Sequence, residues 1–418
     1  MSSSPTSIMF GSLLCCVMHL AFAQSDTGTT STSDSPQRDI TRPMEMSQLA
    51  EDLVGTPEDD EAFESSYEAM VQSLSKQINL NRADVDELLS LNVLTNDEAE
   101  AIVGYRTHYG EFRSFFELQA VPGLAPDVIR NLRPFITVSE AGSAIDRTLT
   151  RRIIHESDNY LLMRFSRAWS SVADKDSLAG SPEHLLLRFR SHRPGDFSVG
   201  FNTEKDSGEP IRWDTRHAYF GFDRWTFHAQ LQHKGRIKNL VLGDFQAQYG
   251  QGLMIGGAFG PGKGSETITA MRRANVGIVP YTSAYESGNM RGAALAISLT
   301  KTIEISILCS RTQRDASFTM KDSVKLASSI LRSGLHRTDT ELEGRRQLTD
   351  TQLAAILQRR KGSLEMGAMV ARNSYGNSIS PKEMPYNQFA FRGRAYTNAG
   401  FFVNYHMGRF STFGEAAA

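Results

Sequence analysis

The spacing of apolar residues changes near residue 150, from a helical period to a strand period. Between about 64 and 138, apolar residues recur three and four positions apart, as at Val85, Leu88 and Leu89. This spacing is typical of amphipathic helices. The pattern therefore predicts a compact domain of short helices over residues 64–138.

Local start signals within this segment support the same prediction. Thr95 with Glu98, and Ser114 with Glu117, have the spacing of a capping box, in which a hydroxyl and a carboxylate satisfy opposite backbone N–H groups. Pro126 suits the first turn of a helix, where its missing N–H is not needed.

After about residue 150, apolar residues alternate with small or polar ones, which is the period of a β-strand. In the segment 185–190, for example, apolar residues alternate with Leu186, Arg188 and Arg190. The same alternation recurs in three later segments, 303–309, 364–370 and 399–405. Tight turns and longer polar loops connect the strands alternately, and the loop at 311–350 is predicted to be the longest.

The two periods together predict an α+β multidomain protein: a small all-α domain, then an antiparallel β meander over 150–418. Two architectures fit such strands. In an outer-membrane barrel the apolar face contacts lipid, while Arg, Ser, Gly and Asn line a wet interior. In a water-soluble sandwich or half-barrel the apolar face is the core. The alternation of short turns and long loops favours the barrel.

The N-terminal region predicts export. Residues 8–23 are apolar and end in Ala21-Phe22-Ala23, so residues 1–23 resemble a secretory signal peptide, although no Lys or Arg precedes the run. Residues 24–63 are rich in Ser, Thr, Asp and Pro, which predicts a disordered tether. Cleavage after Ala23 would leave Cys309 as the one cysteine, so no internal disulfide is expected.

Charge and motif content argue against several functions. The 45 basic and 47 acidic residues nearly cancel, so no global field attracts nucleic acid. Gly257, Gly262 and Lys263 have P-loop spacing, but Gly264 stands where the magnesium-binding Ser or Thr is required, so no nucleotide is expected. No catalytic motif and no metal-type histidine spacing occurs in the sequence. We therefore expect a non-enzymatic protein without cofactor or metal.

A specific resemblance covers about 60 residues of the helical segment. The ordered matches are Ile78-Asn79-Leu80-Asn81, Ala83, Glu87-Leu88, Ala101-Ile102, Tyr105-Arg106, Tyr109-Gly110-Glu111-Phe112, Glu117-Leu118 and Val121-Pro122-Gly123-Leu124. In this pattern the segment resembles the competence-protein type of tandem helix-hairpin-helix domain. The resemblance implies that hairpin turns present backbone N–H groups to DNA phosphates, with glycine allowing close approach.

The turns of this chain depart from that pattern. The second turn keeps Gly123 but has Ala125 where a second glycine usually lies, and the first turn has Val93 and Thr95 at the glycine positions. Asp127 follows the second turn and would repel phosphate. The candidate DNA- or partner-binding residues are Gly123, Leu124, Ala125, Arg130 and Arg133.

Charge also disfavours DNA binding by this domain. Between 78 and 135, five arginines oppose nine acidic residues, a net charge of minus four. Non-specific DNA binding depends on cations that displace counterions, so the sign is unfavourable. The sequence predicts weak backbone binding at most, with a protein-docking or structural role as the alternative.

The rest of the chain resembles the large exported helix-hairpin-helix proteins of the Bacteroidetes type, on the segments GSPEHLLLRFR, LVLGDFQAQYGQGLMIGGAFGPGKGSE, SGLHRTDTEL and PYNQFAFRG. The resemblance implies an outer-membrane location with the helical domain facing the periplasm, and partners that are DNA or another envelope protein. Relatives of this type run past residue 418, and the end GEAAA lies near a strand, which predicts a C-terminally truncated, incomplete barrel.

Overall fold

A computed structural model describes residues 14–17 and most of the chain from 77 to 418. The residues not described within the second range are 90, 92, 139–148, 155–158, 168–177, 216–218, 258–272, 274, 284–287, 322 and 408–409. The predicted tether, most of the predicted signal peptide and the glycine-rich segment 262–264 lie outside the described residues. One strand, β1 (Leu14–Val17), comes from the predicted signal peptide and pairs with β4 (Asn159–Arg167).

The helical domain predicted over 64–138 is present from residue 77 onward. Its helices are α1 (Val85–Leu89), α2 (Asn96–Tyr109), a 3-10 helix (Phe115–Ala120), α3 (Pro126–Leu132) and a second 3-10 helix (Arg133–Phe135). The short parallel strands β2 (Ile78–Asn79) and β3 (Ile136–Thr137) pair and bring its two ends together. Leu80, Leu88, Ile102, Leu118 and Leu132 are fully buried in its core.

One of the two predicted capping boxes forms. Thr95 accepts from the Glu98 N–H, and the Glu98 carboxylate accepts from the Thr95 N–H, at the start of α2. The Ser114–Glu117 prediction is wrong in detail. Ser114 accepts from the Phe116 N–H at 3.0 Å, while Glu117 accepts from the Arg113 N–H at 3.2 Å. The tighter 3-10 turn shifts each bond by one residue.

The predicted β region forms one large, mostly antiparallel sheet. Its strands after β4 are β5 (Glu183–Arg193), β6 (Phe197–Lys205), β9 (Arg224–Lys234), β10 (Ile237–Gln248), β11 (Gly277–Pro280), β12 (Met290–Ser298), β13 (Ile303–Arg314), β14 (Ala316–Lys321), β15 (Val324–Ile330), β16 (Leu348–Lys361), β17 (Leu364–Ile379), β18 (Gly393–Met407) and β19 (Phe410–Ala417). Strands β7 (Arg212–Asp214) and β8 (Tyr219–Gly221) form a separate small hairpin. The main order is β1-β4-β5-β6-β9-β10-β12-β13-β16-β17-β18-β19, with β14-β15 joined to β17.

The remaining helices lie outside the helical domain. Helix α4 (Leu149–Ile154) precedes the sheet, α5 (Asp339–Gly344) follows β15, and a 3-10 helix (Pro385–Asn387) precedes β18. The segment 311–350, predicted to be the longest loop, is instead built from the end of β13, the β14-β15 hairpin, α5 and the start of β16. Among the described residues, no helix is long and apolar enough to cross a membrane.

The apolar face of the strands points outward. On β16, Leu353 and Leu357 are 49% and 50% exposed, and Phe227, Ile307 and Phe401 on other strands are similarly exposed. The opposite face carries buried polar residues. These include Arg188, Arg190, Ser198, Asn202, His228, Ser306, Gln358, Glu365 and Asn404. A sandwich whose apolar strand faces form the core, the alternative left open by the sequence, does not agree with this distribution.

The polar face is concave and is partly covered by chain segments from elsewhere. The segment after β10 crosses it. Glu415 of β19 accepts hydrogen bonds from the backbone N–H groups of Gln251, Leu253 and Met254, and Asn275 donates to Glu365 of β17 at 2.8 Å. A small apolar layer, which includes Val241, Phe245, Tyr249, Ile356 and Phe402, fills the space beneath this segment.

The two ends of the sheet differ. The strands are joined at one end, named here the short-turn end, by the brief connections 194–196, 235–236, 299–302 and 362–363. At the opposite, long-loop end, the connections are 168–182, 206–223, 249–289, 315–347 and 380–392. Among the described strands, β19 pairs with β18 and not with β4 or β1, so pairing does not close the sheet into a ring.

Gly367 provides a test of the concave packing. A Cβ at Gly367 would overlap the ring of Phe402, which is fully buried. We expect Gly367→Ala to lower the free energy of unfolding by about 1–3 kcal/mol, the usual cost of overpacking. The control is Gly414→Ala on β19, where a Cβ meets no atom within 4 Å. Urea unfolding of both variants measures the difference, and equal stability of the two would contradict this packing.

Candidate functional site

The candidate binding residues extend along the chain from the turn that precedes α3 to the C-terminal end of that helix. Gly123 and Ala125 are exposed, as are Arg130 in the last turn of α3 and Arg133 just beyond it. Leu124 differs, because its side chain is 8% exposed and belongs to the domain core. The backbone of the turn and the two arginines therefore form the accessible part of the predicted site.

The second hairpin turn keeps part of the geometry that a phosphate needs. Gly123 has φ of +85°, a conformation that glycine adopts readily, and a Cβ there would meet nothing within 4 Å. The helix that follows is less suitable. Its N-cap, Ala125, makes no side-chain cap bond, and Pro126 at the first position contributes no N–H donor. The turn is open to a ligand but has fewer donors than an ordinary helix start.

The first hairpin turn is occupied by its own side chains. The Glu98 carboxylate accepts from both the Thr95 N–H at 2.8 Å and the Thr95 hydroxyl at 2.9 Å. A carboxylate therefore lies where an incoming phosphate would need N–H donors, and it adds a repelling charge. This contact occupies donors that a phosphate would otherwise use at this turn.

Three of the five arginines between residues 78 and 135 make contacts within the domain or with the sheet. Arg106 donates to the carbonyl oxygens of Leu80 and Ala83, which joins α2 to the segment before α1. Arg82 donates to the carbonyl oxygen of Gly195, in a turn of the sheet, at 2.6 Å. Arg133 lies over the Phe115 ring at 5.8 Å. These contacts reduce the cationic surface that DNA could use.

The helical domain docks on the short-turn end of the sheet through Asp84. One carboxylate oxygen of Asp84 accepts from the Glu87 N–H at 2.9 Å, and the Glu87 carboxylate accepts from the Asp84 N–H, so the pair caps α1. The other oxygen contacts Lys238 of β10 at 2.8 Å and Arg360 of β16 at 3.3 Å. A single carboxylate thus fixes the start of α1 and attaches the domain to two strands.

The charges around Asp84 explain its protonation state. Burial alone would raise the pKa of Asp84, but Lys238 and Arg360 hold that pKa well below its usual range. Burial would likewise lower the pKa of Lys238, whereas Asp84 and Glu304 hold it above its usual range. Both partners are therefore charged across the physiological pH range. The docking role of Asp84 was not predicted from the sequence. Its one sequence signal is the Asp84-x-x-Glu87 spacing, which is typical of a helix cap.

Histidines and carboxylates that are distant in sequence meet at the long-loop end. His336 donates from Nδ1 to Asp223 at 2.7 Å and from Nε2 to Asp315 at 3.0 Å, and Glu209 accepts from the His336 backbone N–H at 2.9 Å. Burial alone would lower the pKa of His336, but the two carboxylates raise it to about 10. The imidazole is therefore a cation held between two anions.

The contacts of this cluster are those of an ion-pair network. Ligand atoms of Glu209, Asp223 and His336 lie within 4.8 Å of one another, as do those of His184, Glu204 and Asp206. However, Asp223 also pairs with Arg345 at 2.7 Å, which places a second cation where a metal would bind. Spacing along the sequence could not reveal either group, because their members come from different loops and strands.

Comparison with known proteins identifies the helical domain. The sequence profile of the helix-hairpin-helix motif family matches residues 74–137. This match confirms the helix-hairpin-helix part of the resemblance and covers the predicted turn and the docking residues. Such motifs are compatible with binding of nucleic acid or docking of protein. Comparison with curated proteins and with solved structures gives no significant match.

The Asp84 contacts predict a stability difference that depends on pH. Asp84→Asn keeps a good N-cap residue but removes the charge that faces Lys238 and Arg360. We expect a loss of about 1–2 kcal/mol at pH 7, less than for a fully buried pair because about a third of these side chains is exposed. The helix α1 amides should also exchange hydrogen faster in the variant.

The sign of the pH dependence follows from the lowered pKa of Asp84. The folded state binds fewer protons than the unfolded chain, so the ion pairs stabilise the protein fully above the ordinary Asp pKa of about 4. Their contribution is lost as pH falls toward the folded-state pKa. Urea unfolding should show the difference between wild type and Asp84→Asn shrinking below about pH 4. A difference that stays constant with pH would contradict the assignment.

Proposed function

We propose that this chain is a non-enzymatic protein of the Gram-negative envelope whose curved sheet lies in the outer membrane as a β-barrel, with the helix-hairpin-helix domain docked at its periplasmic end. The observation that carries the proposal is the reversed polarity of the strands, with apolar residues outside and polar residues inside. An outer face of this kind suits lipid and a polar interior suits water, as in outer-membrane barrels.

The difference between the two ends of the sheet supports an orientation of the protein in the outer membrane. Outer-membrane barrels have short turns on the periplasmic side and long loops outside the cell. The helical domain contacts the short-turn end through Arg82 and Asp84, which would place it in the periplasm. The apolar run at 8–23 would direct export of the chain.

The proposal assigns the helical domain a docking role. Its contact surface is the segment around Arg82 and Asp84, and the hairpin turns are not part of it. In this function the domain acts as a fixed cover over part of the polar face of the sheet. The partners of the domain are then the sheet itself and other envelope proteins.

The outer face provides the test of membrane location. An arginine placed on the lipid face near the bilayer centre lowers the free energy of unfolding by about 2–4 kcal/mol. The same change on a water-exposed sheet face usually changes it by no more than about 0.5 kcal/mol. We therefore expect Leu353→Arg and Leu357→Arg to destabilise the full chain folded into lipid vesicles. The control is Met320→Arg, a change at a residue of the β14-β15 hairpin that is 69% exposed at the long-loop end.

Two results would count against the membrane proposal. One is equal stability of Leu353→Arg and Met320→Arg in vesicles. The other is recovery of the full chain, expressed with its own N-terminus in a Gram-negative host, in the aqueous fraction after the membranes are sedimented.

A second candidate function is weak binding of a DNA backbone at the second hairpin turn. The observation that favours it is the exposed Gly123 turn, with positive φ and open space around it. Arg130 and Arg133, at the C-terminal end of α3, are also exposed. One phosphate could contact the turn, and binding of this kind would weaken as salt rises.

Titration of the full chain with labelled duplex DNA across a salt series tests this function. Gly123→Val with Arg130→Ala should abolish the salt-sensitive binding. The matched control is Gly110→Val with Arg113→Ala, which also changes an exposed positive-φ glycine and an exposed arginine in the same domain. Equal loss in both double variants, or binding that neither variant changes, would exclude the Gly123 turn as the site. No binding by the wild type would leave docking as the function of the domain.

A further inference from the structure

A cleft with a cavity volume of about 40 Å³ lies between the helical domain and the concave face of the sheet at the short-turn end. Cationic and imidazole side chains dominate its lining, and one carboxylate is present. These side chains are Arg82, Arg190, Arg193, His192, His233 and Glu87. Glu87 is engaged in capping α1, where it accepts from the Asp84 N–H. The described lining of the cleft therefore has three arginines and one carboxylate.

Arg190 is the most deeply placed cation of the cleft. Its side chain is 4% exposed, and its Nε–H donates to Ser198 Oγ at 3.0 Å, which orients the guanidinium. Ser198 also contacts His228 Nε2 at 2.9 Å. A guanidinium oriented in this way can bind an oxyanion through two parallel hydrogen bonds.

The neighbouring histidines indicate the local electrostatic potential. Burial and then the charge of Arg190 lower the pKa of His192 to about 3. Burial, Arg190 and His192 lower the pKa of His228 to about 3 as well. Both imidazoles are therefore neutral at physiological pH. Burial, the larger cause, disfavours any charge, whereas the contribution of Arg190 reflects a positive charge that would attract an anion.

We propose that this cleft binds a small oxyanion of the phosphate class, held by Arg190 and Arg193 from the sheet and by Arg82 from the helical domain. Because the helical domain supplies Arg82, docking through Asp84 completes the site. The inference rests on the cleft and its charges, and it holds whether the outer face of the sheet meets lipid or water. The phosphate could belong to a free small molecule or to a lipid head group at the short-turn end.

The binding test uses the purified full chain in chloride buffer at low ionic strength. Calorimetric titrations use inorganic phosphate in one arm and short-chain phosphatidic acid in the other. We expect saturable binding in at least one arm, weakened about tenfold or more by Arg190→Gln, because hydrogen bonds to charged groups are among the strongest in proteins. Arg82→Gln should weaken binding in the same titration. The matched control is Arg359→Gln, an exposed arginine of β16 that does not line the cleft.

A second readout separates a binding role of Arg190 from a structural one. Bound phosphate would offset the charge of Arg190, so the pKa of His192 and of His228 should rise on saturation, as followed by NMR of the imidazole rings. If Arg190→Gln does not fold, Arg82→Gln still tests the cleft. Arg82 is less buried than Arg190, so its replacement is expected to disturb folding less.

Each arm distinguishes a source of the phosphate. Binding of inorganic phosphate that depends on Arg190 supports a free small ligand, and binding confined to phosphatidic acid supports a lipid head group. Absence of binding in both arms, or equal weakening by Arg190→Gln and Arg359→Gln, would overturn the proposal.

Discussion

The polar concave face of the sheet imposes the constraint on which the rest of the structure depends. A buried charge is costly unless it is paired and hydrogen-bonded, so each one must find partners on neighbouring strands or covering segments. Asp244 is fully buried, and it accepts from the Phe227 N–H, the Asn289 amide and the Arg291 guanidinium. Because the strands place many large apolar side chains outside, such networks and small apolar clusters hold the inside together. The covering residues 249–257 and the helical domain follow from this need.

Docking of the helical domain explains how a helix-hairpin-helix fold can persist without most of its phosphate-binding chemistry. The domain is attached by Asp84, which caps α1 with one oxygen and binds Lys238 and Arg360 with the other. The described docking contacts are made by Arg82 and Asp84, which lie outside the hairpin turns. The first turn is closed by Glu98, while the second remains exposed at Gly123. Selection for a stable, docked domain would therefore act on the capping and docking residues and leave the turn glycines free to change.

The two ends of the sheet are stabilised by different means. At the short-turn end, tight connections leave room for a separate domain, and the cleft beneath that domain collects positive charge. At the long-loop end, the loops hold one another, because His336 joins Asp223 and Asp315 while Arg345 pairs with Asp223. A cation between two anions joins two long connections, 206–223 and 315–347. The chain therefore presents an organised polar surface at each end of an apolar band.

The sequence by itself determined the local structure, because helix period, capping spacing and turn glycine act over a few residues. The helices predicted within 64–138 are present in the described part of that segment, including the Thr95–Glu98 box and the helix that begins at Pro126. The helix-hairpin-helix motif was indicated by the resemblance and is confirmed over residues 74–137. The strands were also predictable, since alternation has a period of two. Only the tertiary structure decided which face of each strand points inward. The alternation of apolar and polar residues is the same whichever face is inside, whereas the curvature of the sheet and the segments that cover it bury one particular face. The docking and loop contacts also could not be predicted from the spacing of residues, because their partners are far apart in the chain. Asp84 contacts Lys238 across 154 positions, and His336 contacts Asp223 across 113.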